Sequence, residues 1–227
     1  MFFSDRIKSI NDSDKVLEIG PGSSPHERSD VLLEKKYEKR DEYTAQVGHQ
    51  EKLITDKKIV YYEGDRFPFN DNEFDYVICS HVLEHVDDVE LFLAEIFRVA
   101  GKGYFEYPLI YYEYLYNFKV HLNLLKFDSE MLHYMKKSDT ALNDFTPVQL
   151  FFYESLNKGH EKLTQDLLPL MMEGFEWHAP FKISRVNTIA DLVHKEFSMP
   201  LSSPGVNSST SARNLIKQLI KKVIPGE

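Results

Sequence analysis

Five short apolar runs in the first half of the chain constrain its fold more than any other feature. They are "KVLEI" (Lys15–Ile19), "DVLLE" (Asp30–Glu34), "KIVYY" (Lys58–Tyr62), "DYVICS" (Asp75–Ser80) and "GYFEY" (Gly103–Tyr107). Each has the length of a strand, and helical or polar stretches separate them. In "DVELFLAEIFRVAGKG", Val89, Phe92, Leu93, Ile96 and Phe97 recur at helical spacing and Gly101 supplies a stop. Strands alternating with helices predict an α/β, Rossmann-like fold: a mostly parallel sheet with helices on both faces.

From Leu109 onward the alternation breaks down. "LIYYEYLYNF" is dense in tyrosine, and "LNLLKFDSEMLHYMKK" reads as a hairpin turning at Asp128-Ser129. "TPVQLFFYESLNKGHEKLTQDLLPLMMEGF" has a helical pattern, and "FKISRVN" reads as a late strand. These readings give one domain over 1–200, with a ligand-binding half at 14–108 and an elaborated half at 109–200 that completes the sheet and carries an insertion. A Ser-, Pro- and Gly-rich linker follows at 201–212. The last segment, 213–227, predicts an amphipathic helix with Leu215, Ile216, Leu219, Ile220 and Val223 on one face and Arg213, Lys217, Lys221 and Lys222 opposite. That pattern fits an anionic membrane surface, the chain's own domain or a second subunit.

Composition narrows the partners. The 227-residue chain has a formal net charge of −9, which argues against nucleic acid, since phosphate binding needs a positive surface. Cys79 is the only cysteine, so no internal disulfide forms, and its apolar surroundings suit a buried, inert thiol. The N-terminal stretch lacks the pattern of a secretion signal, and no window approaches the length of a spanning helix. The expectation is a cytoplasmic protein, peripheral to the inner face of a membrane if the C-terminal helix takes the first of those three partners.

The first strand runs into "GPG". Gly20 and Gly22 lack the Cβ that would keep a ligand from the backbone, and Ser24 followed by Pro25 suits a helix start as cap and first residue. Three ligands compete for such a bend. A P-loop would end in Gly-Lys-Ser/Thr, which is absent. A dinucleotide fingerprint would place glycine where Pro25 stands. S-adenosylmethionine needs only the glycines and nearby acids for its ammonium and ribose hydroxyls, which Glu18 and Glu34 supply.

With those motifs assembled, the chain resembles the class I S-adenosylmethionine-dependent methyltransferases of the type 11 group. "VLEIGPG" is similar to their first motif, "GDRFPFNDNEFDYVICSHVLEHVDD" to the stretch after the third strand and through the fourth, and "LAEIFRVAGKGYFEYP" to the helix and fifth strand that follow. The resemblance covers residues 14–108. It implies S-adenosylmethionine as cofactor, with Glu18, Gly20 and Gly22 around its methionine portion and Glu34 on the ribose. It also implies Asp65 at the adenine amino group with Arg66 beside it, and Ser80 and His81 beneath the sulfonium. The chain departs from the family in one respect: Glu34 lies closer to the glycines than usual, so the first helix must be very short.

Methyl transfer requires alignment of donor and acceptor and somewhere for the acceptor's proton to go. His81 is the candidate base, with His85, His121 and His133 as further polar candidates. Some family members hold a divalent cation with Glu-x-x-Glu-His here; this chain has His81-x-x-Glu84-His85. Two imidazoles and one carboxylate suit zinc, but no fourth ligand is evident and no metal is assigned from the sequence. Tyr107, Tyr111, Tyr112, Tyr114 and Tyr116 are candidates for an acceptor pocket, either for an aromatic molecule or for a saccharide such as a lipid-linked glycan. The expected activity is methyl transfer to an oxygen, or a nitrogen, of a small molecule. A non-catalytic S-adenosylmethionine-binding partner protein and a nicotinamide-dependent oxidoreductase are the alternatives.

Overall fold

The computed structural model describes residues 1–36, 53, 55–156 and 167–194. Contacts between Cα atoms divide the chain into two units, Met1–Val193 and His194–Glu227. The linker and the C-terminal helix expected at 201–227 lie outside the described residues.

The five expected strands form as β1 (Val16–Ile19), β2 (Val31–Lys35), β3 (Lys58–Tyr62), β4 (Tyr76–Ser80) and β5 (Gly103–Pro108). They lie in the spatial order β3-β2-β1-β4-β5, all parallel, and β8 (Met172–Trp177) closes the edge antiparallel to β5. Residues 172–175 were expected to be helical. They are strand because the free edge of β5 takes their backbone hydrogen bonds, while Phe175 and Trp177 pack on Phe105.

The chain moves outward from β1 in one direction and then resumes on its other side at β4. Between β1 and β4 lies the switch point, where the carboxyl ends of neighbouring strands part and leave a crevice.

Helix α1 (Val89–Val99) is capped by Asp88, whose Oδ1 accepts from the Leu91 amide at 2.9 Å. It buries Val89, Phe92, Leu93, Ile96 and Val99 in the main core. Phe97, expected in the same stripe, is partly buried against Trp177 and Phe181. A second cluster of Val16, Tyr76, Ile78 and Tyr104 is covered by Ile7 and Ile10 from the N-terminal segment.

The second half contains helix α2 (Ile110–Tyr116), the hairpin β6 (Asn123–Phe127) and β7 (Met131–Lys136), and helix α3 (Thr146–Leu156). A further strand, β9 (Lys182–Arg185), pairs parallel to β7. The hairpin turns at Asp128-Ser129 as expected: Asp128 Oδ1 accepts from the amides of Glu130 and Met131, and Ser129 adopts φ +79°. "FKISRVN" does provide a strand, but in a separate three-stranded sheet of order β6-β7-β9. Among the described residues, no helix is long and apolar enough to cross a membrane.

Candidate active site

The carboxyl ends of the parallel strands open into a cavity of about 1040 Å³. Its near wall begins at the bend after β1. Gly20 and Gly22 are both left-handed, at φ +62° and +61°, a region that strains any L side chain. The two glycines serve different ends. A Cβ on Gly20 would stand 2.6 Å from Val82 Cγ2, so the bend packs directly against the segment leaving β4. A Cβ on Gly22 would meet nothing within 4 Å among the described residues, and Gly22 lines the cavity.

Ser24 and Pro25 do not begin a helix; residues 21–29 run through turns. The reason is beneath the loop. Glu18, 3% exposed, accepts from the His26 amide at 2.8 Å and the Ser29 hydroxyl at 2.6 Å. Lys57 Nζ donates to the carbonyls of His26, Glu27 and Ser29 at 3.0, 2.7 and 2.5 Å. Side chains therefore hold backbone groups that a helix would have paired internally. Glu18 supports the bend from below and does not line the cavity. Burial pushes its carboxyl up, against the lowering effect of the Ser29 and His26 donors.

Glu34, near the end of β2, lines the cavity, and burial followed by the charge of Glu18 pushes its carboxyl up to about 7. Gly64 and Asp65 line the cavity beyond β3. Arg66 is exposed and does not line it; its charge is felt by Glu95 of α1, which accepts from the Phe67 amide.

Ser80 and His81 line the cavity at the end of β4. His81 sits at φ +56°, and both its ring nitrogens are committed. Nδ1 lies 3.2 Å from Glu84 Oε1, and Nε2 lies 3.0 Å from Glu106 Oε1. Burial would lower the imidazole's pKa, but hydrogen bonds to Glu106 and Glu84, with their charge, push it up to about 9. The ring is a cation strapped between two buried carboxylates.

Glu106 is one residue of the site that the sequence did not single out. It is 1% exposed and accepts from the amides of Phe2 and Phe3 at 2.6 and 2.9 Å, from Tyr104 Oη at 2.8 Å and from Ser80 Oγ at 3.1 Å. Burial alone would raise its pKa; His81 and these donors pull it down to about 2. The signal was present in "GYFEY": a carboxylate inside a buried strand has to be paired.

The far wall comes from the second half. Tyr112 and Tyr116, four residues apart on α2, line the cavity with Phe118, His121, Gln149 and Tyr153. Phe118 stacks on Tyr112 and on His121, in each case with ring centroids 5.2 Å apart. The other expected tyrosines lie elsewhere. Tyr107 is fully buried and donates to Glu173 Oε2 at 2.6 Å, Tyr111 packs in the core, and Tyr114 is exposed. His133 pairs with Asp128 at 2.7 Å beside the hairpin turn. Gln149 and Tyr153 gave no sequence signal, since only the docking of α3 on α2 brings them to the cavity. Glu84, His85 and His121 converge at the same wall, with one ligand atom from each within 4.8 Å of the others.

Residues 33–105 match the family model described as "Methyltransferase domain". No curated protein matches the chain. Solved structures similar to part of it include the YcgJ protein of Bacillus subtilis, at 18% identity over 46% of this chain and 50% of that one, with a TM-score of 0.32. A protein of Thermotoga maritima described as an S-adenosylmethionine-dependent methyltransferase, possible histamine N-methyltransferase, is 20% identical over 47% and 49%, with a TM-score of 0.32. An S-adenosylmethionine-dependent methyltransferase of Aquifex aeolicus is 17% identical over 42% and 57%, with a TM-score of 0.30. The chain thus spans about half the length of these structures. The family match falls on β2 through β5, the stretch that carries Glu34, Asp65, Ser80 and His81. With the strand order and the glycine bend beside it, the match makes residues 33–105 similar to a methyltransferase domain.

Proposed function

We propose that this protein transfers a methyl group from S-adenosylmethionine to an oxygen, or a nitrogen, of a small-molecule acceptor held in the same cavity. The observation that carries the reading is the continuity of that cavity. One wall offers a side-chain-free bend at Gly22, Glu34 and Asp65; the other offers the rings of Tyr112, Tyr116 and Phe118. Glu34 would accept from the ribose hydroxyls and Asp65 from the adenine amino group. Glu18, Gly20 and Gly22 would shape the seat of the methionine portion, with Ser80 and His81 beneath the sulfonium.

In the transfer the acceptor's lone pair forms a bond to the methyl carbon as the carbon–sulfur bond breaks, its electron pair staying on sulfur to give S-adenosylhomocysteine, and the acceptor's proton passes to water. With both nitrogens occupied by carboxylates, His81 serves better as a brace for the end of β4 than as the proton's destination. The aromatic wall favours a flat or sugar-like acceptor. A lipid-linked glycan would add a membrane-facing role for the C-terminal segment.

Calorimetry with S-adenosylmethionine and with NAD, followed by assay of S-adenosylhomocysteine release across a panel of hydroxylated, aminated and saccharide acceptors, tests this. Binding of S-adenosylmethionine with acceptor-dependent release is the expected result. Binding without release for any acceptor would favour a partner protein, and binding of NAD alone an oxidoreductase.

A further inference from the structure

We propose that Glu84, His85 and His121 form a binding site for one divalent transition-metal ion of the zinc type, with an open coordination position toward the cavity. Three observations converge on it.

The first is an orphan. Glu84 is 0% exposed; its Oε1 meets His81, but its Oε2 is buried with no hydrogen-bond partner among the described residues. A buried carboxylate oxygen without a partner is costly, and such groups are paired or bound to metal.

The second is that both imidazoles are already oriented as ligands. His85 Nδ1 lies 3.1 Å from the carbonyl of Val120. A carbonyl only accepts, so that nitrogen carries the hydrogen and Nε2 keeps its lone pair. His121 Nδ1 lies 2.5 Å from Glu113 Oε1, while Lys137 Nζ holds the other carboxylate oxygen of Glu113 at 2.7 Å. Glu113 is 1% exposed, and Lys137 keeps its charge balanced. A hydrogen bond from one ring nitrogen to a carbonyl or a carboxylate is the support that fixes a metal-bound histidine.

The third is convergence. The ligand atoms lie within 4.8 Å of one another, although His121 comes from a different part of the chain than Glu84 and His85. Bonds of about 2.0–2.2 Å would require the three to close by roughly 1 Å, within reach of small side-chain rotations.

The set differs from the one that the sequence suggested. His81 is not a ligand, because both of its nitrogens are taken; it supports Glu84 from behind, and His121 replaces it. All three ligands line the cavity, so the remaining coordination position faces the space assigned to the acceptor. A water or an acceptor oxygen fits there, and an acceptor hydroxyl bound to the ion would lose its proton more readily. This last role rests on the methyltransferase reading; binding of the ion does not.

The test uses the full chain, stripped with a chelator and titrated with Zn2+ and with Co2+ in the absence of cofactor. One ion per chain is expected, with visible Co2+ absorption and an X-ray absorption spectrum of the zinc form showing two imidazole nitrogens and a carboxylate oxygen. His85→Ala and His121→Ala should each weaken binding at least tenfold while calorimetric affinity for S-adenosylmethionine stays within threefold, which also reports that the variants fold. No stoichiometric binding of either ion overturns the proposal, as does a first shell without two imidazoles or binding unchanged in both variants. An ion bound by a chain that ignores S-adenosylmethionine would support the site and sink the methyltransferase reading; turnover by an ion-free chain that binds neither metal would do the reverse.

Discussion

The wall contributed by residues 14–108 is made where strands end, and each of its cavity-lining groups lies within a few positions of an apolar run. Gly20 and Gly22 follow β1, Glu34 closes β2, Asp65 follows β3, and Ser80 and His81 mark the end of β4. The wall contributed by residues 109–193 has no such rule. Tyr112, His121 and Gln149 come from a helix, a connecting segment and a second helix, and meet only through tertiary packing. The difference separates a site specified by local punctuation from one specified by docking. The first can be read along the chain, and the second only in space.

That contrast can be broken. Glu106→Gln should be the most damaging change, because it leaves His81 and two backbone amides facing a neutral amide in a buried place. A loss of about 3 kcal/mol in unfolding free energy is expected from urea denaturation. A loss below 1 kcal/mol would show that the near wall does not depend on this buried carboxylate. Gly20→Ala comes next, with about 1–2 kcal/mol of backbone strain besides the approach to Val82. Calorimetry should show cofactor affinity falling at least tenfold; unchanged affinity would mean that the bend does not shape the cofactor seat.

Glu34 sharpens the comparison through pH. Burial and the charge of Glu18 push its carboxyl up to about 7, and on the proposed reading ribose hydroxyls would donate to the charged form, so cofactor binding should release a proton. Affinity should therefore fall about tenfold from pH 8 to pH 6. Glu34→Gln should flatten that profile and weaken binding at pH 8 by about 1–3 kcal/mol. The smallest effect is expected at Arg66. It is exposed and off the cavity, so Arg66→Ala should leave cofactor affinity within twofold in the same titration. A tenfold loss there would restore the role beside Asp65 that the family resemblance implies.

How much could be read in advance follows the same division. The five parallel strands, helix α1 and the hairpin at Asp128-Ser129 were legible because period and turn chemistry are local. The connection after Gly22 was misread, since Ser24-Pro25 has the chemistry of a helix start, yet Glu18 and Lys57 take its backbone partners from elsewhere in the chain. Residues 172–175 looked helical until the free edge of β5 offered their backbone a better arrangement. The tyrosine-rich segment was recognised as a cluster, but helical geometry turns only Tyr112 and Tyr116 toward the cavity. Glu106 was hidden by its setting: a single acid in a strand carries no spacing pattern, and its importance lies in donors up to 104 positions away.

Those distant donors make the amides of Phe2 and Phe3 reporters on the crevice. Their hydrogens are held by the same carboxylate that holds the imidazole of His81 and the hydroxyls of Ser80 and Tyr104. Exchange of those two amides with deuterated solvent should therefore slow or quicken together with the order of the β4 terminus. The segment around Phe2 and Phe3 thus works as a gauge of whether the floor of the cavity is assembled.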